Sequence, residues 1–406
     1  MKTTGCLVPA AAGLVRCLVT ATGYAEPQAV PAPAEPPKTE ATVVPATSPL
    51  AMPAMAGPLA ASQKPLTLDA GPLGSIYVSG VVSGFAQQQN HVSPGDKTFQ
   101  PDISNAQVFV QKINGPVQFF AQFGEYSLPA LGVPYMKAST ATDSFYGVFP
   151  QWFIKFAPND SFSVQVGKLP TLIGAEYTFT FENANIQRGL LWNQENAVNR
   201  GVQVNYTAGP LALSASVNDG MYSKKYSWAW LSGTYTIDKE NTLALIVSGN
   251  TKRTTVSTTA TPLFQNNEQL HNLIYTHTAG PWTIQPYLQY TKVPADAAYG
   301  TTQDASTTGA ALLATYAFDG GLSLASRAEY IKSTGSASSG APNLLYGQGS
   351  KAWSLSLTPT YQYKNYFLRG EFSYVKANNV TSGMAFGPSG NDTSQTRFLL
   401  EGGLIF

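Results

Sequence analysis

From about residue 75 to the end, apolar and polar positions alternate along the chain. The last run is the clearest. Phe398, Leu400, Gly402, Leu404 and Phe406 fall on one parity, and Arg397, Leu399, Glu401, Gly403 and Ile405 on the other. A period of two places these sets on opposite faces of a strand. The same sorting puts Leu211, Leu213, Ala215 and Val217 on one face, and Leu243, Leu245 and Val247 on another. In Trp282, Ile284, Pro286, Leu288, Tyr290 and again in Trp353, Leu355, Leu357, Pro359, Tyr361, aromatics bracket aliphatics. That arrangement suits strands whose ends meet the two surfaces of a membrane. Pro150, Pro286 and Pro359 fall inside expected strands, where a bulge at each would accommodate the missing N–H.

Two kinds of connection separate the runs. Short turns of Gly, Pro, Asn and Asp lie at 114–116, 158–160, 208–210, 238–241, 279–281, 319–321 and 363–365, each between alternating runs. Such chemistry marks hairpins. Seven hairpins, a first strand at about 75–88 and a last at about 395–406 make sixteen strands. Longer segments rich in Ser, Thr, Gly and Asn lie at about 89–103, 127–144, 169–199, 219–225, 251–266, 293–305, 334–350 and 379–394. Short turns on one side and long loops on the other are the asymmetry of a transmembrane antiparallel β-barrel. The expected class is therefore all-β, with both termini on the short-turn, periplasmic side. The last strand should close on the first around Ile76 to Phe85, because an open edge does not persist in lipid.

Composition agrees. Only 12% of the 406 residues are charged and 12% are aromatic. No run of about 18 apolar residues supplies a spanning helix, which leaves the closed barrel as the membrane solution. A formal net charge of +1 implies no bulk attraction to nucleic acid.

Residues 1–25 read as a secretory signal, with Lys2, an apolar stretch over 7–19 that Arg16 interrupts, and Gly23-Tyr24-Ala25 as a cleavage site. Cys6 and Cys17 are the only cysteines and would leave with it. Arg16 stands where a lipoprotein site at Cys17 needs a small residue. The mature chain would then hold no thiol for disulfides, zinc or nucleophilic catalysis. Residues 26–70 are rich in Pro and Ala and read as a disordered periplasmic tether, leaving 71–406 as the barrel.

Charges gather on the non-lipid parity. Arg327 and Glu329, Arg369 and Glu371, Arg397 and Glu401, with Lys155 and Arg200, are the candidate pore-lining residues. On the lipid side each Arg or Lys at midplane would cost about 2–4 kcal/mol. They can set a transverse field across a water-filled pore, or pair with one another and stiffen the wall. Inward aromatics such as Phe153 and Tyr287 could guide sugars. The long segment 169–199 carries Glu176, Glu182, Arg188 and Glu195, and its Phe179 and Phe181 need somewhere to pack. Other chemistry is sparse. His271 and His277 stand too far apart on one strand, about 20 Å, to share a metal, and His91 is the third histidine. No cofactor, metal site or catalytic group is expected, so the protein reads as no enzyme.

Several short motifs point to a family. They are Val166-Gly167-Lys168-Leu169, Gly174-Ala175-Glu176, Asn183, Gln187-Arg188-Gly189-Leu190, Arg200-Gly201-Val202 and Tyr206, then Val217-Asn218-Asp219-Gly220, Arg327-Ala328-Glu329-Tyr330 and Leu368-Arg369-Gly370-Glu371-Phe372. Over about 75–406 the chain resembles the β-barrel porin family that includes the OmpL-like porins of bacterial outer membranes. The resemblance implies a Gram-negative outer-membrane porin, passing ions and small hydrophilic solutes by passive diffusion. It implies that loop 169–199 folds inward, with its four charged residues at the constriction. It also implies Phe406 as the signal read by the barrel-assembly machinery, contacts with outer-membrane lipid, and a homotrimer. A solute-selective channel, for example for sugars, and a plugged adhesin or structural barrel are the alternatives.

Overall fold

A computed structural model describes residues 57–62 and 64–406. The signal and most of the tether, residues 1–56, lie outside the described residues. Seventeen strands form one sheet. They are β1 (Leu66–Asp69), β2 (Ser75–Gln89), β3 (Phe99–Lys112), β4 (Val117–Tyr126), β5 (Gln151–Asn159), β6 (Phe162–Pro170), β7 (Val198–Ala208), β8 (Leu211–Asn218), β9 (Trp228–Thr236), β10 (Asn241–Asn250), β11 (Gln269–Ala279), β12 (Trp282–Val293), β13 (Ala305–Ala317), β14 (Leu322–Ser333), β15 (Lys351–Tyr363), β16 (Tyr366–Asn378) and β17 (Ser394–Ile405). Strands β2 to β17 are the sixteen wall strands, each antiparallel to its neighbours, with all seven expected hairpins between them.

Closure runs from Arg397↔Gln89 to Ile405↔Val81. Gly80 and Phe406 then exchange both backbone hydrogen bonds, at 2.8 and 2.9 Å. The pairing lies further along β2 than expected, because β1 takes the rest of that edge, from Leu66↔Val78 to Asp69↔Ser75. Residues 66–69, grouped with the tether from composition, are thus part of the sheet. Leu66 and Leu68 alternate with Thr67 and Asp69, which suits an otherwise open edge.

Of the three prolines, Pro150 immediately precedes β5. Pro286 and Pro359 sit within β12 and β15 without the expected bulge. Each leaves a gap in one ladder with unchanged register on either side: Ile274↔Tyr287 and His277↔Ile284 around the first, Leu357↔Phe372 and Thr360↔Arg369 around the second. Register shifts occur instead at Ser83/Gly84 and at Phe156/Asn159, the latter beside Pro158.

The faces sort as the alternation requires. Val82, Ile154, Leu288, Leu312, Phe398 and Leu400 are exposed on the outer wall. Inside, Gln107, Gln122, Gln165, Gln203 and Gln289 are buried. The interior is not an empty lumen: Leu131, Leu172, Ile173, Leu190 and Leu191, all from loops, pack against inward Trp228, Trp230, Ile246 and Ile331.

Candidate pore and constriction

Strand β6 ends at Pro170 and β7 begins at Val198, so residues 171–197 connect them. This loop turns into the barrel and is held from several directions. On one side, the backbone N–H of Gly174 donates to Asn272 Oδ1 at 3.1 Å, and Gln289 Nε2 donates to the Leu191 carbonyl at 2.9 Å. On another, Asn185 Nδ2 donates to Thr358 Oγ1 at 2.7 Å. Glu371 accepts the Ile186 N–H at 2.5 Å and Gln187 Nε2 at 2.8 Å. Thr180 Oγ1 donates to Glu401 Oε1 at 2.8 Å and accepts from Asn105 Nδ2 at 2.6 Å. Phe179 and Phe181 pack with Phe109, Phe120, Tyr126 and Phe153, an apolar seat for aromatics that water would otherwise meet.

The wall arginines hold this loop. Arg327 pairs with Glu176 and with Glu329, at 3.2 Å to the latter, and donates to the Gln187 carbonyl at 2.7 Å. Arg369 pairs with Glu401 and donates to the Asn183 and Thr180 carbonyls, both at 2.9 Å. Its ion partner is thus directly across the ladder (Arg369↔Glu401), not Glu371 on its own strand. Arg397 donates to Gln89 at 2.8 Å, to Gln187 Oε1 at 3.1 Å and to the carbonyls of Ala130 and Val133 at 2.8 and 2.5 Å. The last two belong to a second loop, 127–150, which bridges Arg188 through Ala130. All three guanidinium groups are buried.

Other candidates lie elsewhere. Lys155 shares the inward parity with Phe153 and has no ion pair among the described residues. Arg200 does not line the lumen. It has the parity of Val202, Val204 and Tyr206 on the outer wall, where it pairs with Asp219 at 2.8 Å and lies 3.6 Å over the Tyr222 ring. The alternation in β7 was readable for this residue.

Among the loop charges, Glu182 accepts the Phe179 N–H at 2.9 Å, and burial pushes its carboxyl up to about 8. Burial likewise raises Glu195 to about 8, while a hydrogen bond from the Tyr287 hydroxyl opposes the shift. Arg188 stacks 5.2 Å over Trp192, and burial lowers its guanidinium to about 10. Sequence reasoning missed the neutral anchors: Asn105, Thr180, Asn185, Gln187 and Thr358. For Asn105 and Thr358 the signal was polarity on the inward parity; Thr180, Asn185 and Gln187 lie in the loop, where no period marks a face.

A closed sixteen-stranded membrane barrel with a loop folded into its bore defines an outer-membrane channel protein. The chain belongs to the family described as "Putative beta-barrel porin-2, OmpL-like", whose model matches residues 75–406. No curated protein matches the chain. Among solved structures it is similar to an anion-selective porin from Comamonas acidovorans, with 13% identity over 82% of this chain and 99% of that one and a TM-score of 0.56. It is similar to OmpT of Vibrio cholerae, with 13% identity over 84% of this chain and 100% of that one and a TM-score of 0.54. The outer membrane channel DcaP of Acinetobacter baumannii gives 11% identity over 82% of this chain and 97% of that one, with a TM-score of 0.54. At such identities the likeness concerns the fold.

Proposed function

We propose that this porin is a passive diffusion channel for ions and small hydrophilic solutes, with loop 171–197 setting its aperture. The observation that carries this reading is the loop's attachment inside the bore to β3, β11, β12, β14, β15, β16 and β17. Polar inward side chains replace the hydration of a passing solute, and an apolar solute would gain nothing there. The wall arginines are spent on loop carbonyls and carboxylates, so the net field rests on unpaired groups such as Lys155. The aromatic guide for sugars loses support, since the Tyr287 hydroxyl is engaged by Glu195 and Gln289.

Both termini face the periplasm on this reading, Phe406 serves the assembly machinery, and three copies associate. The groove of about 660 Å³ on the outer wall, lined by Gly84, Ile103, Leu368, Leu400 and Gly402, supplies a surface for association. Single-channel recording in planar bilayers tests the channel. Ohmic conductance supports diffusion. A small conductance blocked by one solute class would replace it with a selective channel, and none at all would make it a plugged structural barrel. Mass measurement in mild detergent tests the trimer.

A further inference from the structure

Residues 57–62 precede the sheet and need not enter it, yet they run inside the bore. The Gly57 N–H donates to the Glu182 carbonyl of the constriction loop at 3.0 Å. Leu59 is 2% exposed and joins Phe109, Phe120, Phe153, Phe179 and Phe181. Ala60 is gripped by the Gln362 carboxamide, which accepts its N–H at 2.7 Å and donates to its carbonyl at 2.9 Å. Gln362 stands at the end of β15, beside the short turn to β16. The segment thus reaches from the constriction loop to the short-turn rim. Beside it remains a cavity of about 1010 Å³, bounded by Ala60 and Ser62 on one side and Pro281, Thr315, Phe318 and Gln362 on the other.

We infer that residues 57–62 are a strap across the short-turn mouth that limits the current the pore carries. This rests on the diffusion reading above. A solute leaving the constriction meets the strap before the periplasm, and the adjacent cavity is its way out. Gly57 is the lever: a Cβ there would collide with the Asn183 carbonyl. Gly57→Leu should therefore expel the strap, and Gln362→Ala should remove its clamp, without touching a wall hydrogen-bond ladder. Single-channel conductance of the full chain is compared with both variants, after gel mobility with and without heating shows folded barrels. Larger conductance in both variants is expected. Folded variants conducting as the unmodified protein does would overturn the strap while leaving the channel intact. No conductance in any of the three proteins would overturn the channel and the strap with it.

The outer wall carries a second, independent feature. At the long-loop end, Lys332 of β14 lies directly opposite Lys351 of β15, and Lys376 of β16 pairs with Trp353, two residues along from Lys351. All three share the outward parity of Tyr330, Trp353 and Tyr374. None has a carboxylate partner among the described residues; the polar contact recorded is Lys376 Nζ donating to Thr393 Oγ1 at 2.7 Å. Like charges directly opposite in a ladder destabilise it unless an anion joins them. Aromatic belts mark the headgroup level of a membrane, and these lysines lie at or just beyond that belt. We propose that Lys332, Lys351 and Lys376 bind a phosphate of an outer-leaflet glycolipid headgroup. Native mass spectrometry of protein extracted from vesicles containing bisphosphorylated lipid A reads the occupancy. Retention by the unmodified protein and by a Lys239→Gln control on a short turn, with loss from the Lys332→Gln/Lys351→Gln/Lys376→Gln variant, is expected. Equal retention by the triple variant would overturn the site. Retention of inorganic phosphate, with no lipid retained, by the unmodified protein would overturn a lipid as its occupant.

Discussion

Arg369 has no surface left for water. Its donors go to Glu401 and to two carbonyls of the constriction loop. The sequence allowed two roles for such an arginine, a source of field in open water or a brace. The hydrogen bonds favour the brace, because a guanidinium that satisfies loop carbonyls cannot also coordinate a passing anion. Removing one partner of a buried pair costs about 3–5 kcal/mol, since the other charge stays buried alone. Arg369→Ala should therefore lower the temperature at which the folded barrel unfolds on a gel, and make single-channel traces noisier as the loop loosens. A heat resistance equal to that of the unmodified protein would return Arg369 to the role of a field residue. Lys155 gives the contrasting case. It is inward, only half-buried and without an ion pair among the described residues. Lys155→Gln should leave heat resistance unchanged and shift the reversal potential in a salt gradient toward cation preference. An unmoved potential would place the field elsewhere.

The constriction loop is the element least legible in the sequence. Its inward course follows from contacts between residues more than a hundred positions apart, such as Gln187 with Glu371 and Asn185 with Thr358. Nothing local encodes them. Phe179 and Phe181 gave the one local hint, as aromatics in a loop that needed cover. Strands are the opposite case: their period of two is local, and in β7 it marks Arg200 as outward, although that residue was expected in the lumen. Burial of acids gives this loop a pH response. Glu195 packs against Tyr287 of β12, with Glu176 in the same loop and Glu329 of β14 nearby raising it further. Its carboxyl rises from 4.5 to about 8 on docking. Between those values the docked loop keeps a proton that the free loop has lost. Docking is thus strongest below about 4.5 and weakens as pH rises through about 8. Channel traces should grow noisier as pH is raised across that window, and Glu195→Gln, which cannot ionise, should reduce the change. An identical pH response in that variant would assign it to other groups.

For the molecule as a whole, the shell was legible and the bore was not. Turn chemistry fixed the seven hairpins, and alternation fixed the outer wall. The inward course of loop 169–199 was expected from the family resemblance and from Phe179 and Phe181, but the filling of the bore by loop 127–150 and by residues 57–62 was not, because a Pro- and Ala-rich segment such as 57–62 has no periodicity to read. Leu59 is its one apolar anchor of size. Closure of the shell is the condition for everything inside it, since a barrel with an open edge leaves unpaired N–H and C=O groups in lipid, where each costs several kcal/mol. Phe406 completes the seam. Its N–H and carbonyl both bond Gly80, and its ring occupies the space that a side chain at Gly80 would need. The short strand β1 takes over the same edge immediately beyond it. Deleting Phe406 removes two seam hydrogen bonds and the ring, and opens a gap between β17 and β1 along β2. Assembly should slow and unfolded precursor should accumulate, read as loss of the heat-modifiable band. Gly80→Val should have a similar effect, because its Cβ would meet both the Phe406 ring and the backbone carbonyl of Gln107 in β3. Should the deletion variant reach the membrane with a normal folded band, the seam would be closed well enough by Ile405↔Val81 and β1, and the terminal aromatic would not be needed for assembly.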